Sequence, residues 1–153
     1  LLAKELGFSD AEIENVHLSG LIHDVGKIGI EDRILRKPAA LTDDEYEIMK
    51  QHPTKGAQIL EAVPKLKAIA GPGLQHHENF DGSGYPEGLK GEEIILEAHI
   101  IAVADSFDAI TSARPYRSGS TVSEALAEIE RGARTLYDPA VVSALATLLA
   151  DDT

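Results

Sequence analysis

Apolar residues recur along this chain at three- and four-residue spacing, broken by glycine, proline and short polar clusters. Leu1 to Leu6 predicts the tail of a helix stopped by Gly7. Ser9 and Glu12 form a capping-box pattern for the next helix. Ile13, Val16, Gly20 and Leu21 fall on one of its faces, Asp24 continues that face, and Gly26 is the expected stop. Residues 27–41 lack a clean period and read as a connection. Thr42 with Glu45 predicts a second cap, with a helix from Asp43 to about His52. Pro53 suits the first position of another helix, which Pro64 breaks. Pro72 begins a helix that carries His76 and His77 into a turn-rich stretch. Residues 87–93 read as a polar loop, and Ile94 to Ser112 as a long, mostly apolar helix closed by Arg114-Pro115-Tyr116-Arg117. Thr121 and Glu124 cap a helix ending at Gly132, and Asp138-Pro139 opens a last one with Val141, Val142, Leu145, Leu148 and Leu149 on its buried side. No segment alternates as a strand does. The pattern predicts an all-α domain of about seven helices.

Composition narrows the chemistry. A length of 153 residues and 43% hydrophobic content fit one folded domain. No apolar run reaches the roughly 18–20 residues of a membrane span, and no signal peptide is evident. Cysteine is absent, so any metal must be held by nitrogen and oxygen. A cytoplasmic location fits, including as the cytoplasmic part of a larger sensor protein. The net charge of -12 argues against a DNA-binding surface, though not against a small anionic substrate met by metal ions and a few placed cations. The chain opens within an apolar run without a methionine, which reads as a fragment whose upstream part is missing.

The candidate chemistry centres on HHENFDGSGYP, His76 to Pro86. Imidazoles ligate transition metals, and Gly82 and Gly84 permit backbone that other residues resist. His23 and Asp24 end an apolar helix, and His52 lies at a helix junction. Asp105 and Asp108 sit one turn apart in the long helix and call for partners, either a metal ion or a buried arginine. His23, Asp24, His52, His76, His77 and Asp105 supply six nitrogen and oxygen donors, which suit two bridged octahedral ions better than one tetrahedral zinc. Two metals about 3.5–4 Å apart are the usual apparatus for phosphate-ester hydrolysis. His17 and His99 lie in no motif and read as structural. The DGSGY turn lacks the acidic alternation and closing glutamate of a calcium loop.

Four motifs in order, HDVGK (His23 to Lys27), KQHP (Lys50 to Pro53), HHENFDGSGYP and VADSFDAITSARPYR (Val103 to Arg117), together resemble the HD-GYP family, a branch of the HD phosphohydrolase superfamily. The similarity runs on through YDPAVV, Tyr137 to Val142. The resemblance implies an HD-domain helical bundle over residues 1–153, lacking its first helix or helices, with an upstream receiver or sensory domain outside this chain. It implies a bacterial phosphodiesterase that hydrolyses cyclic di-GMP to pGpG or GMP in signal transduction. It implies two or three divalent ions, iron or manganese rather than zinc, ligated by the six donors above. Asp24 and Lys27 would be catalytic, Lys27 also binding phosphate beside the metals. Arg114 and Arg117 would contact substrate, and a guanidinium fork suits phosphate or a guanine edge. Gly84, Tyr85 and Pro86 would shape the loop beside the site.

In this family a preceding helix carries a further histidine, and sometimes a glutamate associated with a third metal. Gly71-Pro72-Gly73 departs from the pattern and predicts a kink before His76. Alternatives from other classes are a non-catalytic module that binds cyclic di-GMP or docks on a diguanylate cyclase, and an enzyme acting on another cyclic dinucleotide such as cyclic GMP-AMP. Association as a homodimer stays open. Retention of all six donors favours the enzyme.

Overall fold

The computed structural model describes residues 1–113 and 119–151. Among them the chain forms nine α-helical segments and no strand, with one isolated bridge between Ala133 and Tyr137. These are α1 (Leu2–Glu5), α2 (Asp10–Ile22), α3 (Asp32–Leu35), α4 (Asp43–Met49), α5 (His52–Glu61), α6 (Ala70–Gln75), α7 (Leu96–Thr111), α8 (Val122–Arg131) and α9 (Pro139–Asp151). α1 and α3 are single turns, so seven helices are longer than one turn, as the pattern predicts. No helix among the described residues is long and apolar enough to cross a membrane.

All three expected capping boxes form. Ser9, Thr42 and Thr121 accept from the backbone N–H groups of Glu12, Glu45 and Glu124, whose carboxylates accept in return from the cap N–H groups. Gly7 closes α1 with φ +83°, a left-handed value that glycine tolerates. Asp138 caps α9 by accepting from Ala140 and Val141 N–H. These local signals fix where four of the helices start, and packing fixes the rest.

The main core gathers Val103 of α7, Ala125 and Ile129 of α8, and Val141, Val142 and Leu145 of α9, with Leu2, Ala3 and Val16 at its edge. Leu21 does not join it. It is 68% exposed and lines an apolar groove of about 660 Å³ with Ile13, Val16, Ile101 and Leu148, bordered by His23 and Asp105. The face predicted for α2 is therefore the wall of an open groove, because α7 and α9 cover only part of it.

Three local expectations change. Residues 27–41 contain order that no period could signal: a 3-10 turn at Val25–Gly29 and α3, anchored by the buried Ile30 and Ile34. Gly26 does not end α2, which stops at Ile22. It lies where the 3-10 turn crosses α5, and a Cβ there would stand 1.8 Å from the His52 carbonyl oxygen. Gly71-Pro72-Gly73 lies within α6 rather than before it, since the helix starts at Ala70. A Cβ on Gly73 would lie 3.5 Å from His23 Cα, so this small residue brings α6 against the end of α2.

Candidate metal centre

Each candidate donor sits where an element ends, with one exception. His23 caps α2 and Asp24 follows it. His52 opens α5, with Pro53 in the first turn where no backbone donor is lost. His76 caps α6 and His77 comes next. Asp105 projects from the middle of α7. Helix ends aim the first five side chains toward one point, while α7 offers the sixth from its flank.

Single donor atoms of Asp24, His52, His76 and His77 all lie within 4.8 Å of one another. The two oxygens of Asp24 face different ways. Oδ1 lies 3.2 Å from His52 Nε2 and 3.6 Å from His76 Nε2. Oδ2 lies 3.5 Å from His23 Nε2 and 2.6 Å from Lys27 Nζ. His23 Nε2 in turn stands 3.6 Å from Asp105 Oδ1. All six predicted donors are thus brought together, with Asp24 between a His52–His76–His77 group and a His23–Asp105 pair.

The histidine tautomers follow from their other nitrogens. His23 Nδ1 meets the Gly20 carbonyl at 2.6 Å, His52 Nδ1 the Met49 carbonyl at 2.8 Å, and His76 Nδ1 the Gly73 carbonyl at 2.6 Å. A carbonyl only accepts, so each Nδ1 donates and each neutral ring turns its Nε2 lone pair to the centre. Those Nε2 atoms, with Asp24 Oδ1, are buried without a hydrogen-bond partner. Buried lone pairs facing a carboxylate are costly unless a cation lies between them. The donor set therefore fits divalent metal. It contains only nitrogen and oxygen, a set that iron and manganese accept readily.

The electrostatics agree. Burial opposes ionisation of Asp24, yet the facing His52 and His76 rings and the Lys27 ammonium hold its carboxyl far below the usual range. The Asp105 carboxylate raises the pKa of His23 against burial, and His23 lowers that of Asp105. A proton and a metal ion compete for the same His23 lone pair. Burial, reinforced by His76 and His52, pushes His77 down to about 3, so its ring is neutral and its lone pair is free to donate.

The GYP loop lies against this cluster. Tyr85 N–H donates to the His77 carbonyl at 3.1 Å, and its ring stacks on the His77 ring with centroids 4.9 Å apart. The Tyr85–Pro86 peptide is cis. Gly82 has the expected positive φ of +86°. Gly84 is required for another reason: a Cβ would lie 2.3 Å from Asn79 N and 2.4 Å from the His77 carbonyl oxygen.

Sequence reasoning passed over Glu78. It is 2% exposed and accepts from Glu87 N–H at 2.7 Å and Leu89 N–H at 3.0 Å, tying off the loop from inside. An acid following a ligand pair and preceding a turn was the available signal. Both Asp105 and Asp108 are exposed, but Asp105 faces His23 while Asp108 accepts from the Ser112 hydroxyl, so only Asp105 of that pair faces the other candidate donors. His99 is structural as expected, buried with Nε2 3.2 Å from the Gly91 carbonyl. Arg114 and Arg117 lie outside the described residues.

Comparison with known proteins gives consistent matches. A family model described as HD domain matches residues 1–141. A cyclic di-GMP phosphodiesterase of Thermotoga maritima is 49% identical over 149 residues, covering 96% of this chain and 40% of that protein. A 3'3'-cGAMP-specific phosphodiesterase of Vibrio cholerae is 39% identical over 145 residues, covering 95% and 32%. The crystal structure of a cyclic GMP-AMP-specific phosphodiesterase of V. cholerae superposes with a TM-score of 0.76 at 22% identity, over 98% of this chain and 41% of that one, and shares its fold. The chain spans well under half the length of these relatives.

Proposed function

Because the chain belongs to the HD domain family, we propose that it is the catalytic part of a metal-dependent phosphodiesterase of the HD-GYP branch that hydrolyses cyclic di-GMP to pGpG or GMP. The observation that carries this reading is the central carboxylate of Asp24, whose two oxygens face two separate donor groups. His52, His76 and His77 would hold one divalent ion, His23 and Asp105 a second, and Asp24 both. When bound, the ions would supply Lewis-acid stabilisation of the phosphoryl oxygens and lower the pKa of the attacking water. Iron or manganese suits the nitrogen and oxygen donors.

The chain's own residues have separable roles in this reading. Lys27 Nζ donates to Asp24 Oδ2 at 2.6 Å, fixing the carboxylate and leaving a cation beside the centre for a phosphate oxygen. The backbone carbonyls of Gly20, Met49 and Gly73 hold three imidazoles in the ligating tautomer. Tyr85 covers one side of His77 and excludes water there. Arg114 and Arg117 would contact the substrate. The resemblance also implies a further histidine, and in some members a glutamate, from a preceding helix; the apolar groove bordering His23 and Asp105 supports that reading.

The experiment is substitution with metal analysis in the full-length protein. His76→Ala should lose the ion of its own donor group, and with it turnover of cyclic di-GMP. Arg114→Ala should raise KM while keeping its metal. Normal metal and activity in His76→Ala would contradict the assignment. Hydrolysis of a mixed cyclic GMP-AMP dinucleotide is the second reading, since a relative of comparable identity is named for that specificity.

A further inference from the structure

The KQHP motif contributes His52 to the centre and leaves Lys50 unexplained. Lys50 caps α4, a helix that buries none of its own residues. Its ammonium lies 5.5 Å from the Tyr46 ring centroid and 5.9 Å from that of Tyr85, and bonds the Glu47 carboxylate at 2.6 Å. The two tyrosine rings meet edge to face, with centroids 6.3 Å apart at 83°. One face of Tyr85 is already covered by His77. Tyr46 is 48% exposed, so much of its ring is open, one tyrosine removed from a candidate metal ligand.

We propose that Tyr46 and Lys50, backed by Tyr85, form a binding platform for a purine base, with preference for guanine. This rests on the phosphodiesterase reading for the source of the base, a nucleotide whose phosphate sits at the metal centre. An open aromatic ring beside a fixed ammonium matches a flat heterocycle with an acceptor edge. Stacking accepts any base. The lysine adds discrimination, because guanine presents the N7 and O6 acceptors that a lysine can bond together, whereas adenine replaces O6 with the N6 donor. The ion pair with Glu47 and the contact with both rings keep the lysine side chain only 27% exposed, so it is placed before a ligand arrives. Packing of α4 alone would account for a tyrosine buried against Tyr85, and does not account for a half-open ring with a cation held over it.

The test measures dissociation constants of GMP, AMP and ribose 5-phosphate on the metal-loaded full-length protein. These ligands share a phosphate, so their ratios cancel the contribution of the metal centre. GMP should bind at least about tenfold more tightly than ribose 5-phosphate, the size expected for one stacked base. Tyr46→Ala should bring that ratio to within about threefold of unity, and Tyr46→Phe should retain most of it. Lys50→Met keeps the apolar stem and should erase the preference for GMP over AMP while preserving the advantage of either over ribose 5-phosphate. If Tyr46→Ala does not fold, Tyr46→Leu, which keeps the bulk without the π face, takes its place in the comparison. An unchanged GMP to ribose 5-phosphate ratio in the Tyr46 variant would overturn the platform, as would an unchanged GMP to AMP ratio in Lys50→Met overturn its guanine preference. Failure of the wild type to hydrolyse cyclic di-GMP would instead count against the phosphodiesterase reading, and the nucleotide ratios would still decide for or against the platform.

Discussion

Asp24 differs from Asp105, the other carboxylate among the six, in having both oxygens engaged, one toward His52 and His76 and one toward His23 and Lys27. Removing it takes a ligand from both donor groups, whereas removing Asp105 takes one from the His23 side only. Metal analysis should therefore find both ions lost in Asp24→Ala and one retained in Asp105→Ala. Equal stoichiometry in the two variants would mean that Asp24 does not bridge. The convergence of these six side chains was legible in the sequence because histidine and aspartate at helix ends and in an apolar helix need partners. Their tautomers were not. The Nδ1 bonds to Gly20, Met49 and Gly73 run to backbone carbonyls three residues back, a feature of helix-end geometry rather than of residue type. Gly26 read as a helix stop and Gly84 as a turn-former, yet each is needed for close backbone approach, which only the tertiary contact reveals.

The loop from Glu78 to Leu89 is the element that couples the metal cluster to the surface. Its closure depends on one carboxylate accepting from two backbone N–H groups, and hydrogen bonds to a charged acceptor contribute about 1.5–3 kcal/mol each. Glu78→Ala should lower stability by roughly 3 kcal/mol in denaturant unfolding, and should raise KM by loosening Tyr85 from His77. Glu78→Gln keeps an acceptor and should recover part of both effects; equal loss in the two variants would show that side-chain volume, not the bonds, is what matters. Helix boundaries were the most readable feature at this scale, since Ser9, Thr42, Thr121 and Asp138 act through neighbours three residues away or fewer. α3 and the 3-10 turn at Val25–Gly29 escaped, because elements of four or five residues carry too little periodicity to detect. They are held by Ile30 and Ile34 reaching into the core.

Across the whole molecule, the candidate donors come from α2, α5, α6 and α7 and the turns at their ends, so a bound metal would tie separate helices together. A ligand present at about a hundred times its dissociation constant stabilises the native state by roughly 2.7 kcal/mol. Stripping metal with a chelator should lower Tm by roughly 5–10 °C for a chain of this size, and readdition should restore it. An unchanged Tm would mean the six donors hold no metal. The strongly acidic balance of the chain favours such cations over any polyanionic partner. The all-α architecture followed from periodicity alone, but the open groove beside α2 did not, since a sequence cannot say which apolar face is left uncovered. The most direct test combines metal quantification with product analysis on one sample of the full-length protein incubated with cyclic di-GMP. At least two divalent ions per chain and release of pGpG or GMP are expected. Full metal loading with intact cyclic di-GMP would contradict the phosphodiesterase reading.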